Sequence, residues 1–187
     1  MIQAIEDLKT SQGMKSALKK GDKMPHFRLR NPQRVPITSK KLLEKGPIVL
    51  VFYRGGWCPY CNLQLRDLQK NLEAIKAQGA ELVAISPESL EAAGDTVSKQ
   101  KLGYHVLSDQ YGAVAKEFGL MFKLPKDLIS VYKDFGIHLD ETNSTKKWEL
   151  PLAATYIVDQ KGVIRYAFVE ADYKLRAETT EIVEELK

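Results

Sequence analysis

Cysteine is scarce in this chain, which has two cysteines, Cys58 and Cys61, among its 187 residues. No signal peptide is recognisable, because the segment Met1–Asp7 carries acidic residues where such a peptide has an apolar stretch. We therefore expect a cytoplasmic location, in which thiols are kept reduced. In that compartment a closely spaced cysteine pair is a redox couple or a metal site more often than a structural disulfide.

Long hydrophobic runs and an excess of one charge are missing as well. No apolar stretch approaches the roughly 20 residues of a membrane-spanning helix, and we predict no membrane partner. The net charge is +4, from 28 Lys and Arg against 24 Asp and Glu, and the lysines are scattered along the chain. Because proteins that bind nucleic acids concentrate basic residues on one face, we predict no nucleic-acid partner.

Histidine is almost as rare as cysteine, and it occurs at His26, His105 and His138. A structural zinc site needs four ligands. Since none of the three histidines has ligand spacing relative to the cysteines, we predict no bound metal and no cofactor.

The two cysteines stand at the junction of a predicted strand and a predicted helix. The run 47–53 is continuous, apolar and rich in β-branched residues, which is typical of a central strand buried on both faces. A Gly-Gly break, the C-x-x-C and a helical pattern follow. This order places both thiols in the first turn of the helix, where the helix dipole and free backbone N–H groups favour the thiolate. Since a thiolate is a nucleophile, the sequence predicts redox chemistry.

The residues alone leave open which thiol reacts first. Cys58 begins the helix with Pro59 behind it, and the first cysteine of such a pair is usually the exposed one with the low pKa. Cys61 would then resolve a mixed disulfide. Two inert buried cysteines are the alternative without a function, and the strand-to-helix setting argues against it.

Four residues just before the pair are candidates for substrate binding or for stabilising the thiolate. Arg54 lies in the loop before the helix, where its charge can stabilise a thiolate or a leaving hydroxide. A solvent-facing side chain is an equally good interpretation of Arg54. Gly55 and Gly56 permit either a close approach of substrate or simply the turn. Trp57 is predicted to pack over the end of the helix.

The remainder of the chain alternates strands and helices. An amphipathic N-terminal helix is predicted over residues 1–20, and residues 21–187 are predicted to form one domain. A helix is predicted over 125–136, a loop over 140–147, and a β-hairpin with a glycine turn over 154–169. The pattern predicts an α/β fold in which a sheet of mixed direction is covered by helices on both faces.

Three further segments carry motifs of a known family. Residues 20–29 contain G-D-x-x-P-x-F-x-L, residues 107–119 contain S-D followed by A-x-x-F-G, and residues 156–165 contain Y-I-V-D-x-x-G-x-I-R. In this order they resemble the alkyl hydroperoxide reductase/thiol-specific antioxidant family, the peroxiredoxins, over residues 20–170. The resemblance implies a thioredoxin fold.

The active-site segment departs from the family's F-Y-P-x-x-x-T-x-x-C. Laid on this chain, that motif places the attacking cysteine at Cys61, the threonine at Cys58 and the proline at Arg54. The family's second arginine, six residues before the hairpin aspartate, falls on Ala153. What remains resembles the peroxiredoxin-like subgroup that has a thioredoxin-type C-x-x-C, in which Trp57 matches the tryptophan before the pair.

The tail of the chain also resembles that subgroup. Asp172, Tyr173 and Arg176 match a D-Y-x-x-R pattern. For these three residues we expect a role in packing or in oligomer formation.

The resemblance implies a thiol peroxidase with an antioxidant role. A hydroperoxide would oxidise Cys61 to a sulfenic acid, and Cys58 would condense with it. A dithiol reductant such as thioredoxin would then reduce the disulfide, and the family also allows a homodimer. We expect slow turnover, because the replaced threonine and arginine supply transition-state hydrogen bonds that can be worth about 3 kcal/mol each.

Two other functions remain open at this point. The C-x-x-C favours a thioredoxin-like thiol–disulfide oxidoreductase that acts on protein disulfides, with Cys58 attacking first. The third hypothesis is a redox-sensing interaction protein without turnover, for which the insertion 121–148 would be the partner surface.

Overall fold

The computed structural model describes residues 2–10 and 12–187. In these residues there are ten helices and nine strands. The helices are α1 (Ile2–Lys9), α2 (Gln12–Ser16), α3 (Ser39–Lys45), α4 (Pro59–Lys70), α5 (Leu72–Ala77), α6 (Leu90–Gln100), α7 (Ala113–Glu117), α8 (Lys126–Asp134), α9 (Leu139–Thr142) and α10 (Thr179–Glu185). The strands are β1 (Arg28–Arg30), β2 (Pro36–Thr38), β3 (Ile48–Phe52), β4 (Glu81–Ser86), β5 (His105–Ser108), β6 (Met121–Lys123), β7 (Glu149–Pro151), β8 (Ala153–Val158) and β9 (Ile164–Glu170).

Strand β3, which leads into the cysteine pair, lies near the middle of the main sheet. The strand order is β2-β1-β5-β4-β3-β8-β9 in the part of the chain that the structure describes. β3 and β4 are parallel, with Ile48 opposite Glu81 and Phe52 opposite Ile85, and β4 and β5 are parallel too. β8 runs antiparallel to β3, and β9 runs antiparallel to β8. The predicted α/β fold with a mixed sheet, and its closing hairpin, are confirmed.

Both faces of β3 are buried, as its continuous apolar sequence predicts. Its five side chains have no measurable exposure. Because successive side chains of a strand point to opposite faces, Ile48, Leu50 and Phe52 join one cluster, and Val49 and Val51 join another. The second cluster includes residues of α4, α5 and α10. These helices therefore hold the strand from which the active-site loop emerges.

The insertion between α7 and β8 forms a small unit of its own. β6 and β7 pair antiparallel at its base, and α8 and α9 lie between them in the chain. Leu124, Tyr132, Leu139 and Leu150 form its core. The predicted loop over 140–147 is wrong at its start, where α9 forms; α9 places Leu139 in that core.

The helical pattern at the N-terminus and the one after the cysteine pair each form two helices, α1 with α2 and α4 with α5. The N-terminal helix predicted over 1–20 consists of α1 and α2, with Met1 and Ser11 outside the described residues. At the end of α1 the Thr10 hydroxyl donates to backbone carbonyls of the preceding turn, a local bond that competes with helix continuation. The Asn71 side chain likewise donates to the Asp67 carbonyl and separates α4 from α5. None of the helices described combines the length and apolar character that crossing a bilayer requires.

The start of the parallel β3–β4 pair depends on a close backbone contact at Gly46. The Cβ of an alanine at this position would lie 1.9 Å from the Gly79 carbonyl oxygen. We expect Gly46→Ala to lower the free energy of unfolding by about 1–3 kcal/mol, because the two segments that enter the strands must move apart. Denaturant unfolding measures this change.

Gly94→Ala provides the matched control. Gly94 lies inside α6, where the nearest contact of an added Cβ, 3.4 Å away, is a proline side-chain carbon. Because alanine favours a helix interior over glycine by roughly 0.5–1 kcal/mol, we expect the stability of this variant to be unchanged or slightly raised. Equal losses in the two variants would contradict the proposed contact.

Candidate active site

The two cysteines lie where the sequence predicts, at the N-terminus of the helix after β3. Cys58 is the N-cap residue of α4, Pro59 is its first helical residue, and Cys61 lies in the first turn. The Cys58 N–H donates to the Gly55 carbonyl at 3.1 Å, which closes the loop after β3. Cys58 is 1% exposed and Cys61 is 0% exposed. A buried thiolate needs compensating partners, and the surroundings of the two sulfurs differ in how many they provide.

The pKa values of the two thiols shift in opposite directions. A hydrogen bond to Cys61 and burial both raise the pKa of Cys58. Burial would also raise the pKa of Cys61, but the hydrogen bond from Cys58, the Arg176 guanidinium and the backbone amide and charge of Arg54 together lower it. These directions favour Cys61 over Cys58 as the thiol that ionises first.

Arg54 is buried beside the cysteines, and the solvent-facing interpretation of its side chain is wrong. It is 4% exposed, its Nη1 lies 3.9 Å from Cys58 Sγ, and it donates a hydrogen bond to the Tyr132 hydroxyl. Its guanidinium lies 4.9 Å from the ring centre of Trp57 and 4.3 Å from that of Tyr173. Aromatic faces attract a cation at such distances, and they fix the guanidinium at the pair without neutralising it.

A second guanidinium reaches the site from the C-terminal end of the chain. Arg176 Nη2 lies 3.4 Å from Cys61 Sγ. Tyr173, three residues earlier, stacks on Arg54 and packs edge-on against Tyr60 at 5.7 Å. Two of the tail residues for which we expect packing or oligomer contacts, Tyr173 and Arg176, thus lie at the cysteine pair. At Ala153, where the family motif places an arginine, the methyl side chain lines a cavity instead.

A buried carboxyl group supports the loop before the cysteines from behind. Glu88 Oε1 accepts from the Gly56 N–H at 2.8 Å, and Oε2 accepts from Ser86 Oγ at 3.2 Å and from the Tyr53 hydroxyl at 3.4 Å. Burial raises the pKa of Glu88 against these hydrogen bonds. Glu88 follows the end of β4, next to β3 in the sheet, and so the loop after one strand holds the loop after its neighbour.

The two glycines of the loop are required by packing. Gly55 has φ of +151°, which few other residues adopt, and a Cβ there would lie 2.3 Å from Trp57 Nε1. A Cβ on Gly56 would lie 2.0 Å from Thr96 Oγ1. These contacts favour the simple turn. A contact of either glycine with substrate or thiolate stays a prediction.

Two cavities meet at the Arg54 side chain. The larger, of about 380 Å³, is mainly apolar and lies between α1, β6, α8 and the residues around Ala153. The smaller, of about 210 Å³, is a cleft above Cys58 with Trp57 in its wall. Arg54, Tyr132 and Tyr173 line both. A small molecule in either space is therefore within reach of the guanidinium beside the cysteines.

Metal ligands do not cluster in the part of the chain that the structure describes. No group of three or more His, Cys, Asp or Glu side chains in residues 2–10 and 12–187 is arranged to hold an ion.

The sequence predicts the cysteines, Arg54 and Trp57 as site residues, but it does not predict the contacts that Tyr132, Glu88 and Arg176 make there. Tyr132 is part of an apolar helical stripe, which indicates a core position and gives no sign of a polar contact. Glu88 had a usable signal, since polar residues just after neighbouring parallel strands meet at one edge of a sheet. Arg176 belongs to the D-Y-x-x-R pattern, but nothing in that pattern indicates which residue it contacts.

Comparisons with known proteins agree with the fold and with the motifs. The profile of the AhpC/TSA family matches residues 20–167. The chain is 32% identical over 149 residues to chloroplastic peroxiredoxin Q of Sedum lineare, covering 80% of this chain and 68% of that protein. It is 30% identical over 149 residues to chloroplastic peroxiredoxin Q of Triticum aestivum, which covers 80% of this chain but 58% of the wheat protein.

Solved structures show the same fold at lower identity. Peroxidoxin BcpB from Mycobacterium tuberculosis has a TM-score of 0.72 and 20% identity, covering 90% of this chain and 96% of that one. Reduced Prx3 from Vibrio vulnificus, solved in complex with H₂O₂, has a TM-score of 0.72 and 18% identity, covering 91% and 99% of the two chains.

The opposite pKa shifts give a direct test of which cysteine is ionised. In Cys58→Ser the hydroxyl still donates to Cys61, so we expect the Cys61 thiol to titrate below the ordinary value of about 8.5. In Cys61→Ser, burial remains and we expect Cys58 to titrate above that value. Ultraviolet absorbance of the thiolate, followed against pH, measures both midpoints. A lower midpoint for Cys58 than for Cys61 would reverse the assignment.

Proposed function

Because the chain belongs to the AhpC/TSA family of peroxiredoxins, we propose that it reduces hydroperoxides with Cys61 as the attacking thiolate and Cys58 as the resolving thiol. Peroxiredoxins are oxidoreductases that act on hydroperoxides with a dithiol reductant. The assignment of roles is supported by the opposite pKa shifts of the two thiols and by the two guanidinium groups at the sulfurs, Arg54 at 3.9 Å from Cys58 Sγ and Arg176 at 3.4 Å from Cys61 Sγ.

The first step oxidises Cys61. Its thiolate attacks the terminal oxygen of the hydroperoxide, an S–O bond forms and the O–O bond breaks. The sulfur loses two electrons and becomes a sulfenic acid, and the leaving alkoxide or hydroxide takes up a proton to give an alcohol or water. Arg54 is positioned to offset the negative charge that develops on the oxygens, and its burial strengthens that interaction.

The second step uses Cys58. Its sulfur attacks the sulfenic sulfur, an S–S bond forms, and hydroxide leaves with the proton that Cys58 gives up, as water. Cys58 and Cys61 lie within one helical turn, so a large rearrangement is not needed to bring the sulfurs together. An external dithiol such as thioredoxin would then reduce the disulfide by thiol–disulfide exchange. The cleft above Cys58 supports entry of that thiol on the Cys58 side.

The larger cavity favours hydroperoxides that carry an apolar group. Its lining includes Phe122, Leu124 and Leu128, and its inner end is Arg54. An alkyl or aryl group in this space gains free energy at roughly 25 cal/mol per Å² of apolar surface buried. Hydrogen peroxide has no such group and gains nothing there.

The disulfide-reductase alternative needs Cys58, and not Cys61, to be the attacking thiolate. A thioredoxin-like reductase would attack a protein disulfide with an exposed, low-pKa Cys58, whereas here Cys58 is buried and its pKa is raised.

A redox sensor without turnover would use the insertion 121–148 as a free surface. Tyr132 of that insertion instead packs against Trp57 and accepts a hydrogen bond from Arg54, although Phe135 is 72% exposed. Both alternatives are therefore supported less well than the peroxidase.

Location and assembly remain part of the proposal. We propose a cytoplasmic enzyme, in keeping with the scarcity of cysteine. The two plant relatives, by contrast, are named as chloroplastic proteins. A homodimer is a further proposal, which light scattering tests. The chain spans about 58% of the wheat relative's length. The activity and the partners proposed for this chain therefore rest on its own site.

Single-turnover oxidation tests the order of the two cysteines. We expect the reduced wild-type protein to consume hydroperoxide and form a Cys58–Cys61 disulfide. Cys58→Ser should stop at a sulfenic acid on Cys61, because the resolving thiol is absent. Cys61→Ser should react at the rate of an ordinary thiol. Mass spectrometry after dimedone trapping identifies the sulfenic acid, and its formation on Cys58 would contradict the proposed roles.

Filling the larger cavity tests the substrate preference. We expect Leu128→Trp to lower kcat/KM for cumene hydroperoxide by about 10-fold, a typical effect of losing apolar contacts, and to leave kcat/KM for hydrogen peroxide nearly unchanged. Leu63→Trp adds the same side chain on a 57% exposed surface of α4 and serves as the control. Equal losses with both peroxides in Leu128→Trp would mean that the cavity does not select the substrate.

A further inference from the structure

The N-terminal helix α1 precedes the part of the chain that matches the family profile, which begins at residue 20. Ile5 and Leu8 of α1 nevertheless line the larger cavity, whose inner end is Arg54. The two residues are three positions apart, and residues at that spacing are neighbours on one face of a helix. One face of α1 therefore forms part of the cavity wall.

The segment that follows α1 is attached to the domain just after α7. The Leu18 N–H donates to the Phe118 carbonyl at 3.1 Å, and the Ser16 hydroxyl donates to the Gly119 carbonyl at 3.4 Å. A Cβ on Gly119 would lie 2.2 Å from the Ser16 carbonyl oxygen, so the two backbones are in close contact. β6, which lines the cavity as well, begins at Met121, two residues after Gly119. This attachment brings the N-terminal segment to the side of the cavity.

The short helix α1 depends on the packing of this apolar face. It has eight residues, and isolated helices shorter than about 12–15 residues are marginal in water. Ile5 and Leu8 are half-buried, and Leu8 packs against the core cluster that contains Phe52. Gln3, on the other side of the helix, is exposed. The packed side of α1 is thus the side that a ligand in the cavity would contact.

The larger cavity extends from the cysteine pair towards the surface and has room for more than one ring. Arg54 at its inner end is 4% exposed, whereas Asp7 and Lys123, which also line the cavity, are exposed and mark its mouth. The cavity volume is about 380 Å³, and an apolar cavity of roughly 150 Å³ is enough to hold benzene. A hydroperoxide with one small group next to Arg54 therefore leaves space on the side of α1.

We propose that α1 selects substrates by length, with Ile5 and Leu8 in contact with the far end of an unbranched alkyl chain whose hydroperoxide group lies at Arg54. The proposal rests on the proposed peroxidase function for the reaction itself, whereas binding of an alkyl chain in the cavity requires no chemistry. Each methylene that leaves water for this space should raise kcat/KM by about 4-fold. Short hydroperoxides do not reach α1 and gain nothing from it.

The test measures kcat/KM for n-butyl, n-hexyl and n-octyl hydroperoxide in the wild type and in Ile5→Trp. Because the indole fills the space next to α1, we expect the n-octyl value to fall by about 10-fold and the n-butyl value to stay nearly unchanged. Gln3→Trp adds the same side chain on the exposed side of the helix and serves as the control. Leu8→Ala removes contacts from the same wall, and it should lower the n-octyl value more than the n-butyl value.

Calorimetric binding of the corresponding alcohols separates the cavity from the chemistry. An n-alkanol has no O–O bond, so its affinity reports the contacts of the chain with the cavity alone. We expect n-octanol to bind more tightly than n-butanol in the wild type and in Gln3→Trp, and we expect this difference to shrink in Ile5→Trp.

The outcomes distinguish the role of α1 from the peroxidase function. Turnover that does not depend on chain length in the wild type, or equal values in Ile5→Trp and Gln3→Trp, would overturn the role of α1 and leave the peroxidase proposal intact. If the alcohols bind with the expected dependence but no hydroperoxide is reduced, α1 still selects chain length and the peroxidase proposal fails instead. If Ile5→Trp does not fold, Leu8→Ala decides in both measurements.

Discussion

The arrangement of the site depends on one constraint: the sulfur of Cys61 is fully buried, and its surroundings lower its pKa. Removing a charge from water is costly unless hydrogen bonds and opposite charges compensate for it. Cys58 donates a hydrogen bond, the N-terminus of α4 adds its dipole, and Arg54 and Arg176 bring two cations. Each of these partners is itself held by another part of the fold, so the protonation state of one sulfur depends on the whole arrangement.

The partners of the thiolate come from distant parts of the chain, and the sheet brings them together. β3 leads directly into the loop of Arg54, the neighbouring strand β4 ends near Glu88, and α8 of the insertion supplies Tyr132. The C-terminal segment, residues 171–178 between β9 and α10, closes the site with Arg176. Because neither cysteine has more than 1% exposure, the insertion and the tail also decide how a peroxide or a reductant enters.

The site departs from the family motif at two positions. Cys58 stands where the motif has a threonine, and Ala153 stands where it has its second arginine. The alanine leaves space in the wall of the larger cavity, while Arg176 brings a guanidinium to the sulfur from the opposite end of the domain. A guanidinium from a distant part of the chain can act on the sulfur, because Coulomb attraction depends on distance and surroundings alone.

Local patterns in the sequence are enough to predict the features that arise from neighbouring residues. The apolar run of β3, the glycine break and the C-x-x-C at the start of α4 are local patterns, and their periodicity predicts a buried strand, a turn and a helix N-terminus. Contacts across the fold are what make the surroundings of the two thiols differ. That difference depends on Arg176, which is 115 residues from Cys61, and on the burial of Arg54 under Tyr132, which is 78 residues from Arg54. Hydrophobic patterns report which face of an element is buried, but they do not report which side chains meet across the fold.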